Sequence, residues 1–232
     1  MKEILLTQIK IILSKLLPDS LKLRYLSYLP SLETFRKTRT EEYEVFSDRY
    51  KMYDYINGTI LNNKTIVYCE FGVFEGVTIK YWTNINSDIY SKFYGFDTFS
   101  GLPETWNNFV STMNRDTFDV KGKYPQINDE RVSFIKGLFQ DTLPKFLEGF
   151  HSNKQLIINN DSDLYSSTLY MLTAANNIIV PGTIIIFDEF YSILHEFRAL
   201  EDYCSSYLRK YELIAATIAP NRYYAQIAIR MK

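Results

Sequence analysis

Hydrophobic positions divide the chain into two patterns. Through about residue 62 they recur at three- and four-residue spacing, as at Ile4, Leu5, Ile9, Ile12, Leu13, Leu16 and Leu17, the period that lays an apolar stripe along a helix. Pro18 and Pro30 interrupt the run, so several short helices are expected rather than one long one. A further helix is expected over residues 43–61, carrying Phe46, Tyr50, Tyr53 and Ile56. From residue 65 onward, short β-branched and aromatic runs alternate with helical stretches. Strands are expected at 65–71, 92–96, 132–136, 156–160, 183–187, 212–217 and 223–229, with helices between most of them, including 77–84, 166–179 and 195–210.

Alternation of strands and helices predicts an α/β fold, a doubly wound and mostly parallel sheet covered on both faces. The last two strands differ. Only residues 218–222, with Pro220 and Asn221, separate them, so they should pair as an antiparallel hairpin. The chain therefore divides into an N-terminal helical extension, 1–62, and an α/β domain, 63–232. No internal repeat or low-complexity segment is present.

Composition narrows the classes. A hydrophobic fraction of 46% in 232 residues is enough for one sizeable buried core. The formal net charge of −1 leaves no basic face for nucleic acid. Lys2, Lys10, Lys15, Lys22 and Arg24 alternate with Leu and Ile, the pattern of a solvated amphipathic face. The N-terminal apolar stretch is broken by Lys10 and lacks a small-residue cleavage site, so neither a signal peptide nor stable membrane insertion is expected. Its apolar stripe is instead a candidate surface for homo-oligomer formation. Cys69 and Cys204 stand far apart in no metal-binding spacing, which fits a cytoplasmic protein without disulfides.

In a doubly wound sheet, ligands bind beyond the C-terminal ends of the strands. The first strand ends in Glu70-Phe71-Gly72-Val73-Phe74-Glu75-Gly76. Gly72 and Gly76 let the backbone turn tightly beneath a ligand. The Gly-x-Gly-x-x-Gly of dinucleotide sites is missing, so the ligand need not carry a pyrophosphate. Asp97, ending the second strand, can accept hydrogen bonds from ribose hydroxyls, or can cap a turn. At the third, Phe139 or Gln140 can face a nucleobase, while Asp141 or Thr142 can cap the next helix.

The fourth strand runs into Asn159-Asn160-Asp161-Ser162-Asp163, and the fifth ends in Asp188-Glu189. As sheet neighbours these bring four carboxylates together, which raises a pKa or demands a cation. A hard divalent cation, Mg²⁺ above all, suits such oxygen donors. The competing reading makes Asp163 or Ser166 a helix cap and leaves Asp188 and Glu189 in solvent. His195 and Glu196 follow on a helix, and Trp106 and Phe109 fall in the long polar segment 104–128, which has the length of a lid.

Taken together these segments resemble the macrocin O-methyltransferase family, metal-dependent sugar methyltransferases. The pieces carrying the likeness are 70–76, Tyr94-Gly95-Phe96-Asp97 through Pro103, 137–144, 161–168 and Pro181-Gly182-Thr183 through Phe190, in family order. The resemblance implies the class I fold of seven strands with a terminal hairpin and S-adenosylmethionine as cofactor. It further implies a small-molecule or glycan hydroxyl as acceptor. By the same resemblance, Glu70, Gly72 and Asp97 hold the cofactor, Asp161, Asp188 and Glu189 ligate the metal, and Asp163 is the general base; Gly76, Phe139 and Gln140 complete the candidate cofactor site by their places at the strand ends. Glu189 departs from a more usual Asp, and Asn159-Asn160 replace apolar residues or His. Two other functions fit parts of the pattern: a glycosyltransferase using Asp161-Ser162-Asp163 to hold a metal, and a non-catalytic nucleoside-binding protein of this fold.

Overall fold

The computed structural model describes residues 2–16, 20–107, 111–219 and 224–232, with side chains from residue 9 onward. Leu17, Pro18, Phe109, the Pro220–Asn221 turn, Tyr223 and the side chains of Ile4 and Leu5 lie outside the described residues.

Two helices, α1 (Lys2–Leu16) and α2 (Leu21–Thr38), precede a short strand, β1 (Glu44–Phe46), and helix α3 (Arg49–Tyr55). Then come β2 (Ile66–Phe71), α4 (Val77–Ile85) and β3 (Lys92–Asp97). A small hairpin, β4 (Trp106–Asn107) with β5 (Thr112–Met113), interrupts the path to β6 (Val132–Lys136) and α5 (Phe139–Glu148). The chain continues through β7 (Gln155–Asn160), α6 (Tyr165–Ala174), β8 (Ile184–Phe187) and α7 (Arg198–Ser206), and closes with β9 (Tyr211–Ile218) and β10 (Tyr224–Met231).

All seven expected strands form, in one sheet ordered β1-β9-β10-β8-β7-β2-β3-β6. β10 runs antiparallel to both β8 and β9, and the other pairs are parallel. From β2 the chain winds outward through β3 to β6, then crosses back to β7 on the opposite side of β2. That reversal is the topological switch point, where a crevice opens at the carboxyl ends of the strands. Strand alternation sorts β2 between two cores. Val67, Cys69 and Phe71 pack with Phe96, Phe187 and Phe197, while Ile66 and Tyr68 pack with Trp82, Phe93 and Ile157 on the other face.

The N-terminal segment departs from the expected pattern in two ways. Residues 43–61 do not form one helix: Glu44–Phe46 instead add an edge strand parallel to β9. Asp48 then starts α3 by accepting the Lys51 N–H at 3.0 Å, which sets the break. α2 runs through Pro30, where Pro30 and Leu26 are both exposed, so water can serve the carbonyl that proline leaves unbonded. Leu32 and Phe35 of α2 enter one core and Met52, Tyr53 and Ile56 the other, so packing crosses the expected boundary at residue 62. On α1, Ile12 and Leu16 stay exposed. No helix among the described residues is long and apolar enough to cross a membrane.

The ends of β2 and β7 meet backbone to backbone. Asp161 N–H donates to the Phe71 carbonyl at 2.8 Å, and Gly72 holds φ at +90°. A Cβ at Gly72 would lie 1.8 Å from the Asp161 carbonyl oxygen. Gly72→Ala should therefore lower stability by about 3 kcal/mol or more, read from urea unfolding midpoints; a loss under about 1 kcal/mol would show that the two strand ends can part freely.

Candidate active site

The crevice holds a cavity of ≈ 380 Å³ bounded by the turn after β2, the ends of β3, β7 and β8, the start of α5, and α3. Gly72, Asp97, Phe139 and Gln140, four of the residues expected at the cofactor end, line it. The Asp97 carboxylate braces the turn: Oδ2 accepts the N–H groups of Val73 (2.7 Å) and Phe74 (2.8 Å), and Oδ1 that of Phe99 (2.7 Å). Turn bracing and ligand binding are compatible, because Oδ1 keeps a lone pair for a hydroxyl donor.

Glu70 and Gly76 stand behind the turn and do not line the cavity. Strand alternation directs the Glu70 side chain beneath α4, where it is 1% exposed and accepts the Tyr68 hydroxyl and the Ile79 N–H. Burial raises its pKa to about 8 against the opposing pull of those hydrogen bonds. Gly76 opens α4 at φ +75°, and a Cβ there would meet the Pro125 ring at 2.6 Å. Both residues shape the turn from below.

Asp161, Asp163, Asp188 and Glu189 all line the cavity, so the sheet does bring the four acids together. Asp163 is 7% exposed and sits at φ +60°, a left-handed conformation unfavourable for a residue with a Cβ. It caps no helix: α6 begins at Tyr165 without a side-chain cap, and the Ser166 hydroxyl donates instead to Glu104. Burial, then the charges of Glu189 and Asp188, raise the Asp163 pKa to about 8. Asp161 is likewise raised, by burial and by Asp188 and Asp163.

Three carboxylates do not converge on a cation. No set of three or more His, Cys, Asp or Glu side chains among the described residues is arranged to hold a metal. Asp188 and Asp161, two of the expected ligands, face the Arg49 guanidinium, whose Nη1 lies 3.1 Å from Asp188 Oδ1 and 3.9 Å from Asp161 Oδ2. Glu189, the third, accepts the Tyr191 hydroxyl at 3.4 Å on Oε1, while its Oε2 is buried without a partner. The donor set expected from the sequence is thus not assembled around a common point.

A second layer of polar groups fixes these strand ends. Glu196 is fully buried; its Oε1 accepts from Asn160 Nδ2 (2.8 Å) and its Oε2 from the Glu189 N–H (2.9 Å). The Ser162 hydroxyl donates to Asn160 Oδ1 at 2.9 Å. His195 pins the long segment instead of facing the cavity. Its Nδ1 accepts the Tyr165 N–H (3.2 Å), so the proton sits on Nε2 and is donated to the Asn107 carbonyl (2.9 Å). Trp106 stacks on that imidazole at 5.6 Å and is 3% exposed, so it packs the segment and is not free to cover a sugar.

The sequence pattern places Glu196 on the helix after Glu189 without giving it a role, and does not single out Arg49. Glu196 lies on the same helical face as Ile193, Phe197 and Leu200, and that spacing is a signal of burial. Arg49 carried no local signal, because its carboxylate partners lie more than a hundred residues away along the chain.

Fold and site together define an α/β methyltransferase of class I: the strand order, the terminal hairpin and a cavity at the switch point all agree. The sequence profile of the macrocin-O-methyltransferase (TylF) family matches residues 67–213, more than half of the chain. The chain belongs to that family and is an S-adenosylmethionine-dependent O-methyltransferase. Among solved structures, CalS11, a calicheamicin methyltransferase, is 21% identical, with a TM-score of 0.61 over 78% of this chain and 77% of that one. The O-methyltransferase NovP is 19% identical, with a TM-score of 0.57 over 78% of each chain. An O-methyltransferase from Bacillus cereus, in complex with SAH, is 12% identical with a TM-score of 0.52 over 96% of this chain and 95% of that one. At these identities the likeness is one of fold. No curated protein matches by sequence. Membership of that family speaks against the glycosyltransferase reading of Asp161-Ser162-Asp163.

Glu70 generates a pH prediction. Its pKa is near 8 folded and near 4.5 in the unfolded chain, so between those values the folded state binds more protons and stability falls as pH rises. Glu70→Gln should flatten that fall, recovering on the order of 2–4 kcal/mol between about pH 5 and pH 8. Parallel stability curves for the two proteins across that range would contradict it.

Proposed function

We propose that the cavity holds S-adenosylmethionine beside a sugar hydroxyl and that Asp163 removes the hydroxyl proton during methyl transfer. The observation that carries this reading is the position of Asp163: a buried carboxylate of raised basicity in the wall of the same cavity as the Gly72 turn. The cavity volume of ≈ 380 Å³ falls in the range of small-molecule sites, about 300–1,000 Å³. The amino-acid tail would lie against the Gly72–Glu75 backbone, the ribose at Asp97 Oδ1, and the adenine by Leu138, Phe139 and Gln140.

Bound there, S-adenosylmethionine supplies a methyl group on a positively charged sulfur. Asp163 takes the proton from the acceptor hydroxyl as its oxygen bonds to that methyl carbon and the carbon–sulfur electron pair stays on sulfur. Atoms and charge balance: the carboxylate becomes a carboxylic acid and the sulfonium a neutral thioether. Glu189 Oε2, buried and unpartnered, offers a sugar a hydrogen-bond acceptor. Arg49 and Tyr50 also line the cavity, so the segment before residue 62 contributes to its wall. No step is routed through a divalent cation: Asp161 and Asp188 face Arg49, and no three such side chains among the described residues are arranged to hold one.

Asp163→Asn keeps the shape and removes the base. Turnover with a hydroxylated acceptor should fall on the order of 10³-fold, while calorimetric affinity for S-adenosylhomocysteine stays within about threefold. Retained turnover would remove Asp163 from the mechanism. Wild-type protein that binds S-adenosylhomocysteine but methylates no acceptor in a glycoside panel would favour a binding protein, and binding of nucleotide sugars alone would overturn the reading.

A further inference from the structure

The cavity wall carries six carboxylates among the described residues, on Glu75, Asp97, Asp161, Asp163, Asp188 and Glu189, against one cationic side chain, Arg49. Asp161 and Asp188 lie within side-chain hydrogen-bonding reach of each other, and two such carboxylates cannot both stay ionised cheaply without a positive charge beside them. Arg49 Nη1 is 3.1 Å and 3.2 Å from the two Asp188 oxygens and 3.9 Å from Asp161 Oδ2. The guanidinium is held there by its helix. Arg49 is the first residue of α3, Asp48 fixes the helix start, and Met52 and Tyr53 anchor it with no exposed surface. The first turn of a helix disfavours a cation, so Asp188 and Asp161 are what stabilise this one.

We propose that Arg49 is the permanent counter-ion of the Asp161–Asp188 pair and occupies the place a divalent cation would need. A guanidinium stays charged at any working pH and offers fixed planar donors. Mg²⁺ would instead need carboxylate oxygens at about 2.0–2.1 Å in near-octahedral order, with water completing the shell. With Arg49 in place, that approach is blocked on the side where the two aspartates face each other. Removing the guanidinium leaves two bare carboxylates able to hold a small cation together with water. The inference rests on reading this cavity as the acceptor site, but its readout is cation binding and not methyl transfer.

The test is a Mn²⁺ titration of the full chain followed by electron paramagnetic resonance. Wild-type protein should show no site tighter than about 1 mM, and Arg49→Lys should behave in the same way. Arg49→Gln should gain one site at least about tenfold tighter, lost again when Asp188→Asn is added. A wild-type site in the tens of micromolar that disappears with Asp188→Asn would overturn the proposal. So would a folded Arg49→Gln protein, with wild-type circular dichroism and melting, that gains no site. Should Arg49→Gln not fold, the wild-type titration with and without Asp188→Asn decides alone: submillimolar binding that needs Asp188 overturns the proposal, and its absence supports it. Failure of the methyl-transfer assay would leave each of these outcomes unchanged.

Discussion

The site depends on how closely two parallel strand ends approach. Where β2 stops, Gly72 lies against the Asp161 carbonyl, closer than any side chain at that position would permit. Asp161 N–H closes the contact by donating to Phe71, and Gly72 N–H donates to Phe96 on the other side, at 3.0 Å. Three strands from three stretches of sequence therefore end at one level. The turn beyond β2 and the acids beyond β7 become walls of a single cavity. A side chain between them would separate a nucleoside pocket from a proton acceptor, and methyl transfer needs both within reach of one carbon atom.

Beneath that contact, buried polar groups fix directions that backbone pairing alone leaves open. Asp97 ties the turn through three N–H groups. Glu196 ties the ends of β7 and β8 through Asn160 and the Glu189 N–H. In a low-dielectric interior such groups are costly when unpaired and rigidifying when satisfied. Their cost appears in the raised pKa values of Glu70 and Asp163, both pushed up first by burial. In the mechanism we propose, the raised affinity of Asp163 for its proton makes it a stronger base, so the burial that closes the site would also sharpen its chemistry.

Much of this arrangement was legible in the sequence. The central strands Ile66–Phe71 and Ile184–Phe187 are runs of β-branched and aromatic residues buried on both faces, and such runs announce themselves locally. The short 218–222 connection announced the hairpin, and strand ends with Gly72, Asp97, Asp161 and Asp188 marked the binding edge. What stayed hidden were contacts set by tertiary placement. Val45 and Phe46 continue a helical pattern, yet pairing with β9 draws them into the sheet. Glu70 looked like a cofactor ligand until alternation turned it beneath α4. Arg49 carried no signal of its own, and only the folding of α3 brings it to Asp188 and Asp161. Four acids in a sequence state a charge to be balanced; they do not state whether a metal or a side chain balances it.

A crystal structure with S-adenosylhomocysteine would test the shared cavity most directly. The nucleoside should lie along Asp97 and Phe139, with the amino-acid tail at the Gly72 turn and the sulfur facing Asp163 across a gap wide enough for a hydroxyl. A ligand bound elsewhere, or one whose sulfur points away from Asp163, would contradict the assignment of cofactor and base to one cavity.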